Sequence, residues 1–148
     1  MATFGNLENR MAIYADRVSR NARSLNTKIG RTVHRKLVEA TPVDTGRARS
    51  NWIVTTGSPT GIVIPPYAPG RHLGRSETAN AAAAIRQAEA ALAARAPEAT
   101  IYIQNNVAYL ARLNAGSSKQ APAGFVQKAI TQAAEKIAQT RLLDSRRP

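Results

Sequence analysis

The chain has 148 residues, enough for one domain built around one core. Hydrophobic residues make up 43% of it and aromatics 5%, which excludes a disordered polymer and predicts a core of Ala, Ile, Leu and Val. Twenty-one Lys and Arg face nine Asp and Glu, a net charge of +12, and there is no cysteine; disulfides, thiol catalysis and thiolate metal sites are excluded, and a polyanionic neighbour is favoured. That neighbour is nucleic acid or an acidic protein surface.

No apolar run approaches the roughly eighteen residues of a membrane span. The start, MATFGNLENR, lacks the basic, apolar and small-residue regions of a signal peptide, so synthesis in a cytoplasm is expected.

Residues 6–40 read as one long helix. Leu7, Met11, Ala15, Val18, Ala22, Leu25, Ile29, Val33 and Leu37 recur at spacings of three and four and predict one apolar, inward-facing stripe. Arg10, Arg17, Arg20, Lys28, Arg31 and Arg35 fall together in a sector of roughly 80° on the other side. Such a helix is about 50 Å long. Gly30 is a candidate bend, and Pro42 ends the helix because the residue before a proline avoids the helical region.

Thr41-Pro42-Val43-Asp44-Thr45-Gly46-Arg47 predicts a tight turn. Ser50–Thr56 carries the aromatic and β-branched residues of a strand, with Trp52 as expected core anchor. Gly57–Gly61 is a turn, and Ile62–Ile64 reads as the second strand of a hairpin. Residues 65–76 read as an extended arm ordered by a neighbour or as a mobile loop, because three prolines and two glycines in 65–75 forbid ladder and helix alike. Ser76 is placed to cap an Ala-rich helix over 77–96, anchored by Ile85 and Leu92. Thr100–Gln104 is a third strand, followed by an Asn105-Asn106 turn, helical turns over Val107–Leu113 and a loop. Pro122 opens a last helix that runs to about Leu143, with Phe125, Ala129, Ile130, Ala133 and Ile137 inward, and Ser145–Pro148 is a basic tail. The sum is an α+β domain, a small antiparallel sheet packed by a long N-terminal and a C-terminal helix, with the Pro-rich arm and the Ala-rich helix inserted.

The catalytic inventory is thin. His34 and His72 have no carboxylate or second histidine at metal-ligand spacing, and the acidic residues are scattered singly. No nucleophile elbow and no phosphate-cradling glycine loop occurs. A non-enzymatic chain without cofactor or metal is expected. The basic helix face suits phosphate contact without base reading, and it lacks interleaved aromatics for stacking on single strands. A long amphipathic helix also keeps a charged face in water with no partner at all.

Two segments carry a resemblance. Thr41-Pro42-Val43-Asp44-Thr45-Gly46-Arg47, running into Ala48-Arg49-Ser50-Asn51-Trp52 after a long helix, resembles the turn-plus-strand motif of the tail-completion (neck) proteins of tailed bacteriophages. Ile101–Tyr109 and then Leu113–Phe125 are similar to that family's later strand, turn and Pro-led helix, so the resemblance spans roughly residues 6–143. The stretch 65–98 is longer than the link expected of compact members.

The resemblance implies a structural virion protein in the head–tail connector, made in the host cytoplasm. It implies a closed homo-oligomeric ring of about six or twelve copies. Its partners would be portal- or adaptor-side and tail-side virion proteins, with duplex DNA passing non-specifically through the channel. Arg10, Arg17, Arg20, Lys28, Arg31 and Arg35 would face that channel or an acidic adjoining ring. Pro66, Tyr67, Pro69, His72 and Leu73 would form an inter-subunit arm. A small basic histone-like DNA-binding protein, or another minor tail component, fits the charge as well.

Overall fold

The structure, a computed structural model, describes residues 4–69 and 77–144. Its elements in chain order are α1 (Phe4–Ala40), α2 (Arg47–Ser50), β1 (Ile53–Thr56), α3 (Glu77–Ala93), β2 (Ile101–Gln104), α4 (Leu110–Arg112) and α5 (Phe125–Asp144). The helical chain of α4 runs on past Arg112 and breaks at Gly116, φ +97°, before the loop that leads to α5. The class is α+β, as the sequence predicts, with a two-stranded antiparallel sheet between long terminal helices.

Helix α1 runs unbroken for 37 residues, about 55 Å. The expected bend at Gly30 is absent. Gly30 is buried, and a Cβ there would meet the Ile101 side chain at 3.3 Å, so the missing side chain permits close approach to β2 and α3. The expected inward stripe is corrected as well. Only Leu37 of its nine residues is buried, while Leu25 and Val33 are half-buried. The buried face consists of Gly30, His34, Leu37 and Val38. At 100° per residue it lies about 150° around the helix from Leu7, Met11 and Val18. Period alone cannot say which flank of a helix meets the body when only half of the helix does.

β1 starts after Trp52, not at Ser50, because the preceding residues turn once as α2. β1 pairs with β2, Ile53 opposite Gln104 and Thr56 opposite Ile101. The expected hairpin partner Ile62–Ile64 is not a strand. The other edge of β1 is taken by Gln87 of α3, whose side-chain amide accepts from Val54 N at 3.1 Å and donates to Val54 O at 2.8 Å. Segment 60–64 is tied instead by amides: Gln104 to Thr60 N, Asn106 to the Thr60 and Ile62 carbonyls, and Asn51 in both directions to Ile64.

α3 packs on β1 through Ala84, Ala88 and Leu92, with Ile85 only half-buried. Its alanines let Val54 and Trp52 approach closely. α5 begins at Phe125, three residues after Pro122, and Asn114 caps it: the Asn114 carbonyl accepts from Gly124 N at 2.7 Å and its side-chain oxygen from Val126 N at 3.0 Å. Phe125, Ala129 and Ala133 are buried, while Ile130 is 46% exposed and Ile137 half-buried. Ala129 sits with Leu37 and Val38, and Lys136 lies beside Lys28–Lys36, so α5 returns antiparallel along α1. His72, Leu73, Ser76 and the tail after Asp144 lie outside the described residues.

Trp52 is 5% exposed in the cluster of Leu37, Val38, Ala84 and Ala129, and its indole N–H donates to Thr41 Oγ1 at 2.7 Å. Trp52→Ala loses both the ring and that bond and should cost about 3–5 kcal/mol. Denaturant unfolding checks this, and a wild-type midpoint would refute the placement.

Candidate nucleic-acid interface

The turn Thr41–Arg47 and the residues that follow it hold the base of α1. Thr41 Oγ1 donates to Leu37 O at 2.6 Å and accepts from Trp52, and His34 Nε2 is 2.8 Å from Trp52 O. A carbonyl only accepts, so His34 carries its proton on Nε2. The buried Arg49 donates to Thr41 O and to Glu77, both at 2.7 Å. Ser50 Oγ donates to Asn80 Oδ1, and Asn80 also holds the backbone of Ala68 in both directions. Gly46 has φ +78°, and a Cβ there would lie 2.1 Å from Asn80 Nδ2. Thr41, Pro42, Val43 and Gly46 are therefore structural residues, buried under the turn.

Asp44 and Arg47 alone in the turn are exposed, and the turn faces a depression of about 460 Å³ shared with Tyr109, Leu113 and Gln120. Of the expected arm, Pro66 is half-buried, Tyr67 is 42% exposed and Pro69 is exposed. Its first residues are tethered to their own chain, since Tyr67 N donates to Ser50 Oγ and Ala68 is held by Asn80.

On α1 the six expected cations are all exposed. They do not act alike. Arg20 forms an ion pair with Asp16, and Arg17 stands 5.9 Å over the Tyr14 ring. Arg31 shares its Nε–H between the two carboxylate oxygens of Glu89 of α3, at 2.6 and 2.8 Å. That pair raises the Arg31 pKa and lowers that of Glu89, so with Arg20 on Asp16 two charges of the face are already met within the chain. The structure groups Lys28, Arg31, Arg35 and Lys36 of α1 with Lys136 of α5 around a depression of about 260 Å³. Lys36 pairs with Glu39 at 3.6 Å on its rim. Arg10, Arg17 and Arg20 stand apart from it, on the projecting half of the helix. The sequence reading missed Lys36, which is next to Arg35, and Lys136, which only the return of α5 brings near.

This cluster can hold a phosphate backbone by charge, without reading bases. Among the described residues, no group of three or more His, Asp or Glu is placed to hold a metal ion, and no helix is long and apolar enough to cross a membrane. Comparison with protein-family models, with curated proteins and with solved structures returns no match.

Two measurements check this site. Burial holds the His34 imidazole below its ordinary pKa of about 6.5, so the folded chain stays neutral there while the unfolded chain takes up a proton. The unfolded state binds more protons, and stability should fall as pH drops from about 7 to 5. The thermal midpoint should follow, with a flatter profile in His34→Gln. Neutralising Arg35, Lys36 and Lys136 to Gln should lower the salt concentration at which the protein leaves a duplex-DNA column, since each lost phosphate contact removes about 0.9 from the log–log salt slope. Unchanged elution would remove the cluster as a DNA contact.

Proposed function

We propose that the chain is a structural, non-enzymatic subunit of a tailed-phage virion, a neck or tail-completion protein that forms a ring between head and tail. The observation that supports this most is the unit from Thr41 to Trp52. Four of the buried residues that carry the resemblance have a mechanical task there: Thr41 joins α1 to Trp52, Gly46 makes room for Asn80, Arg49 closes the turn onto Glu77 and Trp52 fills the core. The polar network fastens a long helix to a small body, as a subunit needs when neighbours load that helix. The exposed cations of α1 and α5 suit weak, screened attraction to passing DNA, because tight binding in a conduit would hinder release. Head-side and tail-side virion proteins would be its other neighbours.

A small basic DNA-binding protein is the second reading, and the Lys28–Lys136 cluster favours it. Electron microscopy of the purified chain, with a DNA gel shift at about 0.2 M salt, separates the two. The neck reading expects closed rings with an opening wide enough for a duplex and little retardation of DNA. Monomers that shift DNA tightly at that salt would replace it with the second reading.

A further inference from the structure

From Leu7 to Ser24 every residue of α1 is exposed. This is five turns, about 27 Å, tied to the body near its end, where the Arg23 guanidinium donates to the Arg95 carbonyl at 2.6 Å and the Arg23 carbonyl accepts from Arg95 at 3.2 Å; the four turns before Arg23 project. An isolated helix of that length is marginal in water unless an apolar face is packed. Such a face exists: Leu7 is 51% exposed, Met11 62%, Tyr14 55% and Val18 66%. The patch is of the kind that marks an interaction surface.

Its spacing is that of a heptad. Met11, Val18 and Leu25 fall at one core position, a, and Leu7, Tyr14 and Asn21 at the other, d. Lys28 and Thr32 come next in the series, so the seam stops where the body begins. We propose that this segment is a self-association element, through which two copies of the chain pair in parallel and in register. The proposal rests on the neck reading only for the expectation that copies associate; the contact itself follows from the helix.

The flanks choose the partner and the direction. In a parallel pair each g residue faces the e residue five places on, so Arg10 lies over Ala15 and Arg17 over Ala22 of the second copy. No like charges meet, and the arginine stems cover the alanines. An antiparallel pair would set g against g and bring arginines together. Ala15 and Ala22, the e residues under those arginines, carry no charge with which to select a different, charged helix. Asn21 meets Asn21 in register, where each amide both donates and accepts, a match that only an identical chain supplies without design. The in-register pair has a two-fold axis along the helices, an isologous contact distinct from the heterologous contacts that close a ring.

Light scattering of the full chain, from micromolar to millimolar concentration, tests this together with three variants. The wild type should reach at least twice the chain mass of 15.9 kDa. Met11→Glu with Val18→Glu should be monomeric with an unchanged thermal midpoint, because both positions are exposed and far from the core. Ile13→Glu, 57% exposed and about 130° around the helix, should associate like the wild type. Leu7→Cys should form a disulfide-linked pair on oxidation, because parallel seams bring the two N-terminal ends together. A wild type monomeric throughout, an oligomer that survives Met11→Glu with Val18→Glu, or equal loss in Ile13→Glu would overturn the proposal. Association without a Leu7→Cys cross-link would overturn its parallel form. Rings that persist in the glutamate variant would sink this contact and leave the neck reading standing on another.

Discussion

The Thr41 hydroxyl carries the structure. It sits at the last turn of α1, donates to the Leu37 carbonyl and receives the Trp52 indole N–H, all out of water. A buried hydroxyl without partners would be costly, so the position holds only if helix end and core tryptophan arrive together. The same tryptophan's carbonyl accepts a hydrogen bond from His34 Nε2, about two turns earlier on α1, and Arg49 donates to the Thr41 carbonyl. The helix end, the turn and the start of β1 are thereby one polar unit, and the apolar cluster of Leu37, Val38, Ala84 and Ala129 closes round it.

Buried amides extend that unit outward. Asn51 fixes segment 60–64, Asn80 fixes the start of the arm, Gln87 closes the edge of β1 and Asn105 holds the Ala48 carbonyl. A sheet of two four-residue strands has little ladder of its own. Side chains that both donate and accept stand in for the strands that are missing, and they give the irregular backbone of 60–64 and of Ala68 its hydrogen-bond partners.

Anchored at one end, α1 divides in two. Its second half is walled by α3, β2 and α5, and there its outer cations gather with Lys136. Its first half projects with an apolar seam on one side and arginines on another. Glu89 moderates the charge near the body and Asp16 does so on the projection. Helix α1 carries eight Lys and Arg against three Asp and Glu, +5 of the chain's net +12, spread along a rod, a shape suited to assembly and to diffuse attraction rather than to a closed binding pocket.

Much of this was legible in the residues. The helix over 6–40, the turn with its left-handed Gly46, the core Trp52, the Ala-rich helix, the strand at 101–104 and the last helix follow from period, turn chemistry and apolar content, which are local properties. Six of the eight cations of α1, Arg10 to Arg35 without Arg23, share one side for the same reason, since a helix fixes their angles whatever surrounds it. Tertiary structure decided what local rules leave open. It turned Gly30 and His34, rather than Leu7 and Met11, toward the body, because the body meets only the second half of the helix. It gave β1 the distant strand β2 and the Gln87 amide instead of Ile62–Ile64, since an edge accepts whichever group packing brings to it. It drew Lys136 into the basic cluster by folding α5 back, a contact between residues a hundred positions apart that no spacing along the chain encodes.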